Sequence, residues 1–178
     1  MTDEEVMMDI SDGDIAKASI LFDRYSKRIY NFFIQMTYDR SLSEDLTQNV
    51  FERIIRYRKS YDGMEEFKPW IFQIARNTRI DFYKRKKVKE VIQFDSDSAY
   101  KDNSFDDLMN QNELRDKIQM ALMHMKSDQR EILIMTRYQE MKYVEVAKIL
   151  QISEANVKVK VHRAIKDLRY FYFKIDKQ

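Results

Sequence analysis

Cysteine is absent from this sequence and only two histidines occur, so the residues able to do chemistry are its bases and its carboxylates. Without thiols there is no disulfide, thiolate metal site or cysteine nucleophile. His124 and His162 lack the paired spacing of metal ligands, and neither a metal nor any other cofactor is expected. The carboxylate pairs Glu65-Glu66 and Asp106-Asp107 have no neighbouring base with which to exchange a proton, so an enzyme is not expected either. Recognition of a charged partner remains. Arg76, Arg79, Tyr83 and Lys86 recur at three- or four-residue steps, which on a helix makes a basic stripe with an aromatic ring in it. Near the C-terminus, Glu154, Asn156, Lys158, Lys160, His162 and Arg163 crowd one short segment. Asn pairs with adenine and Lys with guanine in the DNA major groove, and further lysines neutralise phosphates.

The net charge of +2 conceals strong segregation along the chain. Residues 1–14 carry Asp3, Glu4, Glu5, Asp9, Asp12 and Asp14 with no base, and residues 76–89 set seven bases against Asp81 alone. Between 90 and 116 eight carboxylates face only Lys101 and Arg115, and beyond 142 nine bases face four acids. A single basic run is ordinarily a solvated helix face. Two of them, split by an acidic stretch, point to two polyanion contacts on a tether.

Presenting those residues requires rigid elements, and with two glycines and one proline the composition points to helices. Residues 15–38 read as a helix through Ile15, Ala18, Ile20, Leu21, Tyr25, Ile29, Phe32 and Phe33. Ser41 and Glu44 fit a capping box that opens a second helix, which turns Leu46, Val50 and Ile54 inward and Asp45, Gln48, Asn49, Glu52 and Arg53 outward. Gly63 marks 57–66 as a loop, and Pro69 suits the first turn of a third helix with Ile71, Ile74, Ala75, Thr78 and Phe82 buried. Trp70, beside Pro69 on a short apolar run, is expected in the core, and the eleven methionines as core filler. Residues 89–112 lose periodicity and fill with Asp, Ser and Asn, the composition of a flexible acidic linker.

Order resumes with Leu114, Ile118, Ala121, Leu122 and Met125, after which Ser127 is placed to cap a helix containing Ile132, Leu133, Met135 and Tyr138. Short and long helices at 143–150 and 154–170, joined by Gln151-Ile152-Ser153, have the form of a helix-turn-helix. Val146, Ala147 and Leu150 face inward in the first, and Val157, Val161, Ala164 and Leu168 in the second. A plain αα-hairpin with a solvated cationic face has the same pattern. The fold expected is all-α, with two small helical domains at 15–88 and 113–178, an acidic tail over 1–14 and a linker over 89–112. No apolar run approaches membrane-spanning length and the acidic start is wrong for a secretory leader, so a cytoplasmic protein with no membrane partner is expected.

Three stretches carry a more specific likeness: SEDLTQNVF (43–51), PWIFQIARNTRIDFYKRKK (69–87) and YVEVAKILQISEANVKVKVHRAIKDL (143–168). In order and spacing they resemble the extracytoplasmic-function (ECF) group of sigma-70 family sigma factors, over about residues 15–172. The resemblance implies promoter-specific transcription initiation with bacterial core RNA polymerase. It assigns Asp45, Gln48, Asn49, Glu52 and Arg53 to the polymerase β-prime clamp helices, and Arg76, Asn77, Arg79, Tyr83, Lys84 and Lys86 to the −10 promoter element. The loop from Tyr57 to Phe67 would hold a base flipped from the opened strand, and Glu154, Asn156, Lys158, Lys160 and Arg163 would read the −35 element as duplex. An anti-sigma factor is a further expected partner. The chain departs from the family at Gln151 and Ala155, where Gly is common, at Lys142, where Ser or Thr is usual, and at Val159, where Ser is frequent. Two other functions fit the residues: a stand-alone helix-turn-helix regulator with a helical N-terminal domain, and an adaptor without a nucleic-acid role.

Overall fold

The computed structural model describes residues 1–92 and 113–177, with side chains described over 1–88 and 113–177. Every element among the described residues is helical, and they fall in two compact units, one within residues 1–103 and the other within 104–178. Of the linker expected over 89–112, residues 89–92 instead continue the last helix of the first unit, and residues 93–112 lie outside the described residues.

The first unit begins with a helix where an acidic tail was expected. α1 spans Asp3–Asp12, and its acids lie where a helix favours them: Asp3, Glu4 and Glu5 occupy the first turn, against the positive end of the helix dipole. Thr2 and Glu5 close a capping box, the Thr2 hydroxyl accepting from the Glu5 amide at 3.2 Å and the Glu5 carboxylate from the Thr2 amide at 2.7 Å. Gly13, at φ 119°, ends the helix in a conformation that a side chain would strain. Val6, Met7 and Ile10 are fully buried, so this segment is part of the core.

A short 3-10 turn, Ile15–Lys17, leads into α2 (Ala18–Thr37), which packs against α3 (Arg40–Arg56). The cap of α3 is Asp39, whose carboxylate accepts from the Leu42 amide at 2.9 Å; the capping box expected at Ser41 and Glu44 does not form, because the helix already starts at Arg40. The loop over 57–66 contains a 3-10 turn, Arg58–Ser60. α4 (Phe67–Ile92) starts two residues ahead of Pro69, which sits in its first turn where an amide is dispensable, and runs past the end expected at 88. The core between these helices is aromatic: Phe32 meets Phe33 and Phe72 with ring centroids 5.4 and 5.8 Å apart, and Tyr25 meets Phe67 at 5.2 Å. Trp70 is half-buried, edge-on to Tyr61 at 5.0 Å.

In the second unit α5 (Glu113–His124) packs along α8 (Glu154–Asp176), with α6 (Ser127–Leu133) and α7 (Tyr143–Leu150) against the same helix. The cap position of α6 is Lys126, with Ser127 already inside the helix, and α6 continues into a π turn over Ile134–Tyr138. Ile132, Leu133, Met135, Val146, Ile149, Val157, Val161 and Ala164 form the core. Of the methionines, Met7, Met36, Met125, Met135 and Met141 are buried, while Met1 and Met64 are exposed.

Burial, then nearby acids led by Glu4, push the Tyr61 hydroxyl up from 10 to about 12, and that hydroxyl donates to the Glu65 carbonyl at 2.6 Å. The folded chain therefore holds the proton more tightly than the unfolded chain. The corresponding stability is complete below pH 10 and is lost as pH rises from 10 to about 12. Denaturant unfolding followed by the fluorescence of Trp70, the sole tryptophan, should show a loss across that interval that is smaller by roughly 1–3 kcal/mol in Tyr61→Phe, the remainder including Tyr25, whose hydroxyl burial also pushes up.

Candidate nucleic-acid interface

α8 is capped by Ser153, whose hydroxyl accepts from the Asn156 amide at 3.2 Å. Val157, Val161 and Ala164 are its buried line, at steps of four and three, with Leu168 half-buried one further step on. Fixing that line inward fixes the rest by geometry. Asn156, Lys160 and Arg163 lie along one outer flank, and Glu154 and Lys158 along the other; all five are exposed. The middle of the solvent face is Ala155, Val159, His162 and Lys166, also exposed. The sequence pattern already set His162 among the solvent-facing side chains but left Val159 and Lys166 out, although the same four-three-four stride counted from the buried line finds them.

The turn before α8 keeps helix-turn-helix geometry despite lacking glycine. Gln151 takes a left-handed conformation, φ 54° and ψ 44°, and its amide reaches the carbonyls that end α7. For a residue with a Cβ that conformation costs about 1 kcal/mol. At the other end of α7 the Glu145 carboxylate accepts from the Lys142 amide at 2.7 Å; Lys142 has no acceptor to complete the box that Ser or Thr would form. A mostly apolar cleft of about 540 Å³ runs beside α8, with Val159, Val161 and Ile165 in its lining together with Arg137, Lys158 and Lys166.

On α4 the expected basic set divides. Asn77, Tyr83 and Lys84 are exposed, and Arg76 and Lys86 are half-buried. Arg79 is only 8% exposed, a correction to its placement on the open stripe. It lies beside the line formed by Ile71, Phe72, Ala75 and Thr78, all buried, and the helix cannot turn one flank inward without taking Arg79 with it. Lys87, four residues beyond Tyr83, joins the exposed face unforeseen.

On α3, Asp45, Gln48, Asn49 and Glu52 are exposed and share one face at three- and four-residue steps. Arg53 departs from it: its guanidinium donates to the Asp81 carboxylate at 2.8 Å and ties α3 to α4. In the loop between them Tyr61 and Phe67 are buried, and the exposed apolar side chains are Tyr57 and Met64. His124 is exposed and bonded through Nδ1 to the Met120 carbonyl at 2.8 Å.

Two family models match the chain: Sigma-70 region 2 over residues 21–88 and Sigma-70, region 4 over residues 115–168. The sequence is 32% identical over 152 residues to the ECF RNA polymerase sigma factor SigM of Bacillus subtilis, covering 85% of this chain and 93% of that protein. It is 33% identical over 156 residues to SigX of the same organism, covering 84% and 80%. The chain belongs to the ECF group of the sigma-70 family. As a sigma factor it directs RNA polymerase in promoter-specific initiation, and a match to both regions disfavours a stand-alone regulator. Solved structures share the fold: CnrH in complex with the cytosolic domain of CnrY, with a TM-score of 0.71 at 18% identity over 94% of this chain and 95% of that one. Another is RpoE in complex with the anti-sigma factor NepR from Bartonella quintana, with a TM-score of 0.66 at 22% identity over 89% of this chain and 97% of that one. Region 2 of this sigma factor therefore contains α3 and the α4 face, and region 4 contains the helix-turn-helix.

Because both partners of the Arg53–Asp81 pair are partly exposed, a double-mutant cycle of Arg53→Ala and Asp81→Ala should give a coupling of about 0.2–1 kcal/mol in unfolding free energy. A coupling of zero would return Arg53 to the polymerase-facing set.

Proposed function

We propose that the two units divide promoter recognition, the first (15–88) acting on the −10 element and core polymerase and the second (113–178) on the −35 element. The observation that carries this is a cationic helix face in each unit, within region 2 on α4 and within region 4 on α8. α8 would lie in the major groove of duplex DNA, with Asn156, Lys160 and Arg163 at base edges and Glu154 and Lys158 on the opposite flank. The central residues Val159, His162 and Lys166 would face the groove floor or the adjoining phosphates.

α4 would meet the opened strand through Arg76, Asn77, Tyr83, Lys84, Lys86 and Lys87, Tyr83 offering a ring on which a base can stack. Arg79 would support that face from within. The loop from Tyr57 to Phe67 would receive the flipped base, with Tyr57 and Met64 the side chains open to it. Extrusion of a base costs a few kcal/mol, offset by contacts in such a pocket.

Asp45, Gln48, Asn49 and Glu52 would dock on the β-prime clamp helices of core polymerase. The chain itself would make and break no bond; its free energy goes into choosing and opening the site. Among the described residues no helix is long and apolar enough to cross a membrane, in keeping with work in the cytoplasm. An anti-sigma factor is a further partner, supported by the RpoE structure of like fold that contains one.

Run-off transcription with core polymerase on a promoter library tests the division. Lys160→Ala should relax choice at the −35 element by about 5- to 150-fold in discrimination, the worth of one base contact. Asn77→Ala should impair use of the −10 element while leaving −35 preference intact. Equal losses at every promoter from both variants would refute it.

A further inference from the structure

The loop before α4 is tied to a helix far away in sequence. α1 is anchored to α2 through Asp3, whose carboxylate accepts from Arg24 at 2.6 Å and from the Tyr25 hydroxyl at 2.5 Å. From that anchorage the Glu4 carboxylate reaches the amide of Phe67, 63 residues on, at 2.9 Å. Phe67 is both the end of the loop and the first residue of α4, so this bond falls at the junction of the two elements that face the opened strand. A helix leaves its first amides without partners, and Glu4 supplies one from outside the local chain.

The loop itself is held from the same side. A Cβ at Gly63 would stand 3.1 Å from the Met8 sulfur, so α1 and the loop are in close contact there, and Gly63 has a φ of +75°. Tyr61 is 3% exposed, its ring edge-on to Trp70 and Phe67. Of the large apolar side chains in the loop, Tyr57 and Met64 stand out, at 52% and 89% exposed. A helix that only added stability could pack anywhere on the unit. This one places a long-range carboxylate contact to α4 where the loop meets the basic helix.

We propose that α1 is a positioning element for strand capture and Glu4 its positioning residue, holding the 57–67 loop in register with the cationic face of α4. The inference rests on the reading of that loop as the receiver of a flipped base, and the test separates the two. Holoenzyme made from core polymerase and full-length protein is titrated with fork-junction promoter DNA whose −10 strand is unpaired, either intact or made abasic at each unpaired position in turn. Wild type should lose about tenfold in affinity at one abasic position. Glu4→Ala should lose a similar factor on intact DNA and then be indifferent to that lesion, whereas Glu4→Gln, which keeps an acceptor oxygen, should match wild type. Gly63→Ala, which presses on Met8 from the other side, should resemble Glu4→Ala. Binding to duplex carrying only the −35 element should stay unchanged in all three.

A Glu4→Ala protein that keeps the wild-type sensitivity to the lesion, or that loses −35 binding in equal measure, overturns the proposal and leaves the loop reading intact. If wild type itself is indifferent to every abasic position, the loop reading falls and the proposal with it.

Discussion

In α8 the line Val157, Val161 and Ala164 is sequestered from water, and burial of such side chains is worth about 1.5–3 kcal/mol for each valine. That gain leaves one rotation of the helix about its axis acceptable, since any other would expose the line and bury lysines. The cationic face is therefore aimed by the core beneath it. The same constraint acts on α4 through Ile71, Phe72, Ala75 and Thr78, all buried, and it explains why Asn77 and Lys84 face water while Arg79 does not. Sequence readout by an α-helix depends on that aim, because base-edge contacts discriminate only when the donors arrive in register.

The first unit adds a second kind of constraint, made by polar contacts between distant segments. Asp3 joins α1 to α2, Glu4 joins α1 to α4, and Arg53 on α3 meets Asp81 on α4. None of these is worth much alone. Together they tie α1 to α2 and α4, and α3 to α4, beside the aromatic packing, and the contact at Phe67 falls where the loop meets the basic helix.

What the sequence made legible follows from the range of the forces concerned. The inward line of α8, the turn at Gln151 and the Ser153 cap rest on contacts a few residues apart, and each was readable as periodicity or capping chemistry. α1 was readable too: Thr2, Glu5 and Gly13 are a capping box and a stop signal, but the acidic block read as charge masked them. The start of α3 was placed at Ser41, whereas Asp39, two residues earlier and equally able to accept from a first-turn amide, is the cap. The Arg53–Asp81 pair depends on a partner far along the chain, where a single sequence gives no spacing to read.

On the proposed division, the two cationic helix faces meet different DNA: α8 duplex at −35, α4 the opened strand at −10. Site-specific photo-crosslinking in the holoenzyme on a single promoter tests it directly, with the reactive group placed at Lys84 in one protein and at His162 in another. Adducts from position 84 should be confined to the unpaired strand near −10, and adducts from position 162 to duplex near −35. Adducts from both positions on the same duplex segment, or none to DNA from position 84, would contradict it.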